Sequence, residues 1–492
     1  MRVFAFLGLL AAATATLAMP AAAQTRDNVV LAFSLEPPML DPTANAAAAI
    51  NDVVYWNVFQ GLTRITANGD VAPGLAESWT VTDDRVFRFK LRPGVKFHDG
   101  KPFDASVVKF TYERAKADDS TNPQKQYFAP IETVTVVDPL TVEVRLSRVD
   151  GLFLANMGMG AAIMVHPDTA ATNRQTPVGT GPFRFERQIP GDRVILVRNP
   201  DYWGPAPRLS RVEMRVIADP AAQTAALLSG DVDVIPFFGA YEAVAQFRNN
   251  PRFQVVVGST EGETVLAMNN AKPPFNDVRV RKAIQHAIDR QQLIDGVLAG
   301  FGTPIGSHFA PHRAGYVDLT GVTPYDPAKA RALLREAGFP NGFETTLRLP
   351  PPAYARKSGE LIQAFLAEVG IRARIEPYEF AQWLDVVFRK FDYDMTIIAH
   401  VEPLDIPNYG RESYYWNYKN PQFNTLVTSL NQTVDQGRRA EIYGQMQRIL
   451  AEDQANGFLF QLPKVMITRP NLVGMWKDQP VFANDMSEVF WR

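Results

Sequence analysis

The spacing of apolar residues changes along the chain, and this change limits the possible folds more than any other feature. Residues 29–33 form a continuous apolar run after Asn28, and the segment 28–33 is predicted to be a short buried strand. Apolar and polar residues then alternate in three segments, which predicts half-buried strands of an antiparallel sheet. These segments are 85–91, 133–136 and 141–146. From about Pro177 onward, short strands alternate with helical segments, so the sequence predicts an α/β fold with a separate β-rich region.

Helix boundaries are marked by capping residues. Asp104 precedes one helix, and the pairs Asp219–Pro220 and Asp326–Pro327 precede two more, because Asp is a favourable N-cap and Pro a favourable first helical residue. Gly230 and Gly338 are expected to end the last two. Further helices are predicted after Asp277, over 361–369 and, near the N-terminus, over 50–59.

The first 23 residues have the pattern of a cleavable secretory signal peptide. Arg2 is the only charged residue before Arg26, an apolar run follows it, and small residues precede a cleavage point after Ala23. No later run of about 18 uncharged apolar residues occurs. We therefore expect the protein to be exported to a bacterial periplasm and, since it has no cysteine to lipidate, not to be a lipoprotein.

Composition excludes several classes of function. The 492 residues include 50 Lys+Arg and 52 Asp+Glu, so no basic excess supports nucleic-acid binding. The absence of cysteine excludes disulfides, thiolate nucleophiles, cysteine zinc sites and iron–sulfur clusters. Phosphate-binding loops and the common hydrolase and metalloprotease motifs are also absent, and the six histidines are scattered.

Three groups of motifs follow one another in a characteristic order. They are LAESW at 75–79 with FRFKLRPGVKFHDG at 87–100; PVGTGPF at 177–183 with RNPDYW at 198–203; and PPF at 273–275 with VRVRKA at 278–283 and AIDR at 287–290. In these motifs the chain resembles the family 5 extracellular solute-binding proteins, which include oligopeptide, dipeptide and nickel receptors of ABC importers. One departure is Val107, where the family usually has Asp.

The resemblance implies a two-lobed periplasmic binding protein fold of the α/β class, type II-like, with an extra β-rich domain inserted in the first lobe. The expected first lobe comprises residues 24–60, 174–262 and 470–492, the inserted domain 61–173 and the second lobe 263–469. The implied function is capture of a polar organic solute, such as a peptide or an opine-like conjugate, without catalysis or cofactor. The implied partner is an inner-membrane ABC permease with its ATPase subunits, and we expect a monomer.

The resemblance also places the ligand site. Glu36 lies in the loop after the first strand, and a second contributing segment follows the apolar strand at 395–399, where polar residues emerge at a sheet edge. The candidate ligand-binding residues are Glu36, His400, Glu402, Asp405, Arg411, Tyr414, Tyr415 and Trp416. The aromatic members are expected to form a wall that stacks on the solute. Peptide receptors of the family have Trp where this chain has His400, and an ammonium-binding Asp where it has Pro403, so peptide specificity stays open.

Two other functions remain open at this point. An exported hydrolase would use Glu36 with Glu402 or Asp405 as paired carboxylates. A nickel or metal-chelate receptor would use His400 beside Glu402, although one imidazole and one carboxylate are fewer ligands than a metal site needs. The family motifs themselves are interpreted as structural: Gly179 and Gly181 shape a turn, and Trp79, Phe97 and Trp203 pack in cores.

Overall fold

The computed structural model describes residues 26–492. The predicted signal peptide, residues 1–23, lies outside the described residues. Three main sheets organise the described chain, and we call them the first, second and third sheets. No helix between residues 26 and 492 combines the length and apolarity needed to cross a membrane.

The first sheet has seven strands, which come from early and late parts of the described chain. In spatial order the strands are Gln254–Gly258, Lys464–Thr468, Val234–Ile235, Asn28–Phe33, Arg211–Val216, Arg193–Arg198 and Phe183–Ile189. Asn28–Phe33 pairs in parallel with its two neighbours, and it confirms the buried strand that the apolar run predicts. The indole of Trp491 donates to the carbonyl oxygen of Asn28 at 2.8 Å, which fixes the C-terminus to this sheet.

The second sheet has six strands. Their order is Thr303–Pro304, Gly457–Gln461, Glu263–Met268, Met395–His400, Glu344–Leu349 and Arg372–Pro377. The chain passes between the first and second sheets at 259–262 and again at 462–463. These two segments lie side by side. The hydroxyl of Thr260 donates to the carbonyl oxygen of Leu462 at 2.6 Å, and the amide of Leu462 donates to the carbonyl oxygen of Gly262 at 2.8 Å.

The third sheet is antiparallel and confirms the alternating pattern. Its strand order is Ala76–Thr82, Val86–Leu91, Thr141–Leu146 and Ile131–Asp138. Phe87, Phe89, Val142 and Val144 all point to a buried core, while the residues between them face outward. Helix Ala105–Lys116 packs against this sheet. Two smaller pairings join Thr63–Ile65 to Val71–Pro73 and Leu472–Val473 to Phe490–Trp491.

The predicted helix starts are confirmed by the capping contacts. Asp104 accepts from the amide of Ser106, Asp219 from that of Ala222 and Asp326 from that of Lys329, each within 2.9 Å. The remaining α-helices are Ala48–Val54, Phe153–Asn156, Pro220–Ser229, Ala245–Arg248, Val278–Ala287, Arg290–Leu298, Pro327–Glu336, Ala353–Glu368, Phe380–Trp383, Pro421–Gln432 and Gln436–Asp453. Short 3-10 segments are Lys125–Tyr127, Gly160–Ala162, Tyr241–Ala243 and Ile406–Gly410, and Leu384–Arg389 is a π-helical turn.

The helix predicted over 50–59 is wrong in its extent. The helix runs from Ala48 to Val54, Tyr55 is extended, and Trp56 has a φ of 61°. A left-handed residue cannot continue a right-handed helix, so the chain turns here although its apolar residues continue.

The family motifs occupy structural positions. A Cβ atom at Gly179 would lie 1.9 Å from the carbonyl oxygen of Val58, so the two backbones pass too closely for any side chain. Gln60 accepts hydrogen bonds from Thr180 and from the indole of Trp203, at 3.0 and 2.8 Å. Phe97 is buried in the core of the third sheet, and Trp79 and Trp203 pack against that core.

The predicted domain boundaries stay a prediction. The sheet to which each strand belongs can be compared with them. Strand Lys464–Thr468 pairs in the first sheet with Gln254–Gly258 and Val234–Ile235, whereas the predicted boundary at 469 assigned it to the second lobe. The pairing favours a boundary near residue 463, where the chain leaves the second sheet.

Candidate ligand-binding site

Three neighbouring cavities lie where the first and second sheets approach each other, and two of them are also lined by residues of 123–160. The central cavity has a volume of about 190 Å³, the loop cavity of about 110 Å³ and the side cavity of about 30 Å³. Ala48, in the first turn of helix Ala48–Val54, and Val401, just beyond strand Met395–His400, line all three. The three cavities are therefore neighbours that share part of one wall, and together we call them the cleft.

The central cavity receives residues from both sheets. From the first sheet come residues at the end of strand Asn28–Phe33 and from the segments that follow the neighbouring strands; from the second come Pro351–Tyr354 and the end of strand Met395–His400. Most of the lining is apolar or aromatic. The aromatic members are Phe33, Phe237, Tyr241, Tyr354, Phe380 and Phe482.

Asp52 is the one acidic or basic residue among those that line the central cavity. It is only 7% exposed, and its Oδ1 accepts a hydrogen bond from the Asn484 side chain at 2.7 Å. Burial raises the pKa of Asp52 to about 8, and the charge of Lys464 acts in the opposite direction. Burial likewise lowers the pKa of Lys464, to about 8, while Asp52 opposes that change.

Five predicted site residues line the loop cavity together: His400, Glu402, Arg411, Tyr414 and Tyr415. They come from the end of strand Met395–His400 and the loop beyond it. The guanidinium of Arg411 lies over the Tyr414 ring, 4.9 Å from its centre. Burial raises the pKa of Glu402, and Asp405 acts in the same direction while His400 opposes it. The cavity thus presents one acid, one guanidinium and two phenol rings.

Asp405 anchors the loop from behind this cavity. Its two carboxylate oxygens accept from His308 Nε2 at 2.7 Å and His400 Nδ1 at 2.9 Å, and Asn408 adds a contact at 3.2 Å. Burial alone would raise the pKa of Asp405. The charges of His308 and His400, and the hydrogen bonds that they donate, instead hold this pKa below its ordinary value. Asp405 does not line any of the three cavities.

His308, His400 and Asp405 also have the composition of a metal site, with ligand atoms within 4.8 Å of one another. Both nitrogens of each imidazole, however, already have partners. His308 Nδ1 contacts the hydroxyl of Tyr409 at 3.2 Å, and His400 Nε2 contacts that of Tyr415 at 2.9 Å. A metal ion would have to replace these hydrogen bonds, so the arrangement is that of a satisfied structural network.

Trp416 belongs to the core rather than to the cavity wall. It is 1% exposed and stacks on Tyr409, with ring centres 4.0 Å apart and planes 15° apart. None of the three cavities is lined by it. The predicted aromatic wall therefore divides, with Tyr414 and Tyr415 at the cavity and Trp416 behind them.

Glu36 is not brought together with the other predicted residues. Its side chain is exposed and accepts from the Gly191 amide at 3.0 Å and from Gln188 at 3.2 Å, in the turn between two strands of the first sheet. Its neighbours Ser34 and Leu35 line the central cavity, but Glu36 does not. A contact between Glu36 and ligand stays a prediction.

Sequence reasoning missed Asp52 and the aromatic lining of the central cavity. The available signal for Asp52 was its position in the apolar segment AAINDVV, where a charged residue lies on a predicted buried helix. Tyr354 and Phe380 gave no comparable signal, since aromatic residues at such positions usually form core.

Comparison with known proteins agrees with this architecture. The model of the family described as bacterial extracellular solute-binding proteins, family 5 Middle, matches residues 70–432. The glutathione-binding protein GsiB of Salmonella paratyphi A is 33% identical over 384 residues, which are 77% of this chain and 74% of that protein.

Solved structures show the same fold. The periplasmic binding protein DppA of Helicobacter pylori, in complex with the peptide STSA, is 26% identical and superposes with a TM-score of 0.86, covering 95% of this chain and 98% of that one. The binding protein AgaA of A. tumefaciens R10, in complex with agropinic acid, is 24% identical with a TM-score of 0.87, covering 94% and 99%. These likenesses confirm the predicted two-lobed α/β fold.

Proposed function

Because the chain belongs to the family 5 bacterial extracellular solute-binding proteins, we propose that it is the substrate-binding component of an ABC importer. In this role it captures a peptide or another polar organic solute between its lobes and delivers it to a membrane permease with ATPase subunits. We propose further that it acts in the periplasm as a monomer, after removal of residues 1–23.

The observation that carries this proposal is the cleft that both sheets line. A solute held there touches both lobes, so it stabilises the closed form relative to the open one. The lobes would move about the side-by-side segments 259–262 and 462–463. Within the described chain these are the two segments that lead directly from a strand of one sheet to a strand of the other.

We propose that the protein binds its solute without chemical change. The paired-carboxylate alternative needs two acids that face each other across a cleft. Glu36 is instead held by the turn at Gly191, and Asp405 is occupied by His308 and His400. The metal-chelate alternative has less support, because both nitrogens of His400 are engaged by Asp405 and Tyr415.

The relative GsiB is named for glutathione binding, which makes peptide-like solutes the first class to test. Protein purified from its native host would be denatured, and the released solute identified by mass spectrometry. The same solute, added back to ligand-free protein, should bind and be recovered unchanged. Recovery of a reaction product would contradict the proposal of binding without catalysis.

A blocking variant locates the site. Ala48→Phe adds a phenyl ring at the position shared by all three cavities and should reduce affinity for the identified solute at least about 30-fold. Val81→Phe adds the same ring on the third sheet, where Val81 is 43% exposed, and serves as the matched control. Equal affinity of both variants in calorimetry would place the ligand outside this cleft.

A further inference from the structure

The central cavity contains a carboxylate that the protein itself leaves half-paired. Oδ1 of Asp52 accepts from Asn484, but its Oδ2 has no hydrogen-bond partner among the described residues. Lys464, whose charge acts on Asp52, does not pair with it: Lys464 donates to the carbonyl oxygen of Trp476 at 2.6 Å and forms no salt bridge with Asp52 in the described chain. A buried charge in an apolar cavity is unfavourable unless a cation pairs with it.

Two residues beside Asp52 carry unpaired acceptors that are closed off from the cavity. Gln479 Oε1 and Asn484 Oδ1 are both buried, and neither has a hydrogen-bond partner within residues 26–492. Both residues line the central cavity with Asp52. Protein atoms enclose these two oxygens almost completely, so the polar group that the cavity offers to a ligand is the Asp52 carboxylate.

The rest of the cavity lining is mainly apolar, which disfavours a cation that has no apolar part. Six aromatic side chains and several prolines and alanines line it, and no residue with a basic side chain does. Nothing basic in the lining therefore competes for the Asp52 carboxylate. An apolar or aromatic group of the ligand would pack against the rings.

We propose that Asp52 binds a cationic amine of the ligand, and that the protein selects organic solutes in which an ammonium group lies beside an apolar group. This inference rests on the proposed function and specifies the chemistry of its ligand. Arg411 and Glu402, in the loop cavity, would face the more distant part of the same solute. The raised pKa of Asp52 agrees with this role, because a carboxylate that lacks a cation in its pocket favours its neutral form.

The test compares free amines with their acetylated forms. The probes are glutathione and the dipeptides Leu-Ala, Phe-Ala and Leu-Phe, each with a free amino terminus and N-acetylated. Binding to ligand-free protein is measured by calorimetry for the parent, for Asp52→Asn and for Asp70→Asn. Asparagine retains the shape of Asp52 and can still hydrogen-bond Asn484, and Asp70 is an exposed carboxylate that controls for loss of one negative charge.

At least one free-amine probe should bind the parent and bind about 30-fold or more tightly than its acetylated form. Asp52→Asn should lose at least as much affinity for that probe, while Asp70→Asn should bind within about threefold of the parent. Acetylated probes that bind as well as free ones, or unchanged binding by a folded Asp52→Asn, would overturn the inference and leave the proposed function standing. If no probe binds in either form, the peptide-like ligand class fails, and this inference fails with it.

Discussion

Replacement of Asp52 by asparagine should make the protein more stable at neutral and alkaline pH. The carboxyl group has a pKa of 3.8 in an unfolded chain and of about 8 in the folded protein, where burial opposes its charge. Between these two values the folded state retains a proton that the unfolded state has released. Stability contributed by this group is therefore complete below pH 3.8 and falls as the pH rises to about 8.

The size of the effect follows from the width of that window. Each pKa unit corresponds to about 1.36 kcal/mol, so at pH 7, roughly three units into the window, the ionisable side chain costs at most about 4 kcal/mol. Asparagine has no such cost. Since Asp52 is largely neutral at pH 7, Lys464 loses little favourable charge in the variant, and we expect a net gain on the order of 1–3 kcal/mol.

The assay is a series of thermal melts of ligand-free protein between pH 5 and pH 8.5. A gain of this size corresponds to an increase of several degrees in the melting temperature, since about 2–4 °C accompany each kcal/mol in a domain of 150–250 residues. The difference between Asp52→Asn and parent should grow with pH, whereas Asp70→Asn should follow the parent throughout. A variant that melts below the parent at pH 8, or a difference that does not depend on pH, would refute the reasoning and show that the carboxylate is paired within the folded chain.

The other predictions concern loop anchoring and core positions. Asp405→Asn places an amide N–H against one of the two histidine donors and should lower the free energy of unfolding by about 2–4 kcal/mol in denaturant titrations. Because the pKa of Asp405 is lowered in the folded protein, the stability advantage of the parent over the variant should diminish as the pH falls through that lowered value. An advantage that persists at the lowest pH would contradict the anchoring role of Asp405. Trp416→Ala should lower the free energy of unfolding by about 3–5 kcal/mol because the ring is buried. Arg411→Ala should change the free energy of unfolding by less than about 1 kcal/mol and weaken solute binding in calorimetry. The reverse pattern would show that Trp416, and not Arg411, contacts the solute. Gly179→Ala should prevent folding or lower the melting temperature strongly, because the new Cβ would lie 1.9 Å from the carbonyl oxygen of Val58. The control Gly321→Ala, whose Cβ would have nothing within 4 Å, should melt within about 2 °C of the parent. Similar melting of both variants would disprove the close approach of the backbones at Gly179 and Val58.

Local signals in the sequence were sufficient for much of the fold. The alternating residues of 86–91 and 141–146 form strands whose apolar side chains face one core. Asp104 and Asp219 cap their helices, and Gly230 ends one with a φ of 95°. These features depend on residues within about four positions of one another, so the sequence displays them directly.

The loop after strand Met395–His400 could be placed but not resolved into roles. Its position predicted a cluster at a sheet edge, and four of its predicted residues do line one cavity together with His400 of the strand. Whether a residue faces the cavity or the core depends on neighbours that are distant in sequence. His308, which lies 97 residues before Asp405, accounts for the anchoring role of that carboxylate.

Asp52 shows most clearly what tertiary structure decided. In the sequence it is one acid in a helical segment, and the predicted end of that helix was wrong by several residues. Its hydrogen-bond partner Asn484 lies 432 residues away, and the charge that opposes its pKa shift comes from Lys464. Periodicity and caps record interactions along one helix or strand, whereas burial, pairing and the shape of a cleft arise where separate segments meet. The sequence alone therefore determined the family and many of the elements, and it predicted a region for the site. Folding determined which carboxylate faces the central cavity, because desolvation depends on everything that packs around a group.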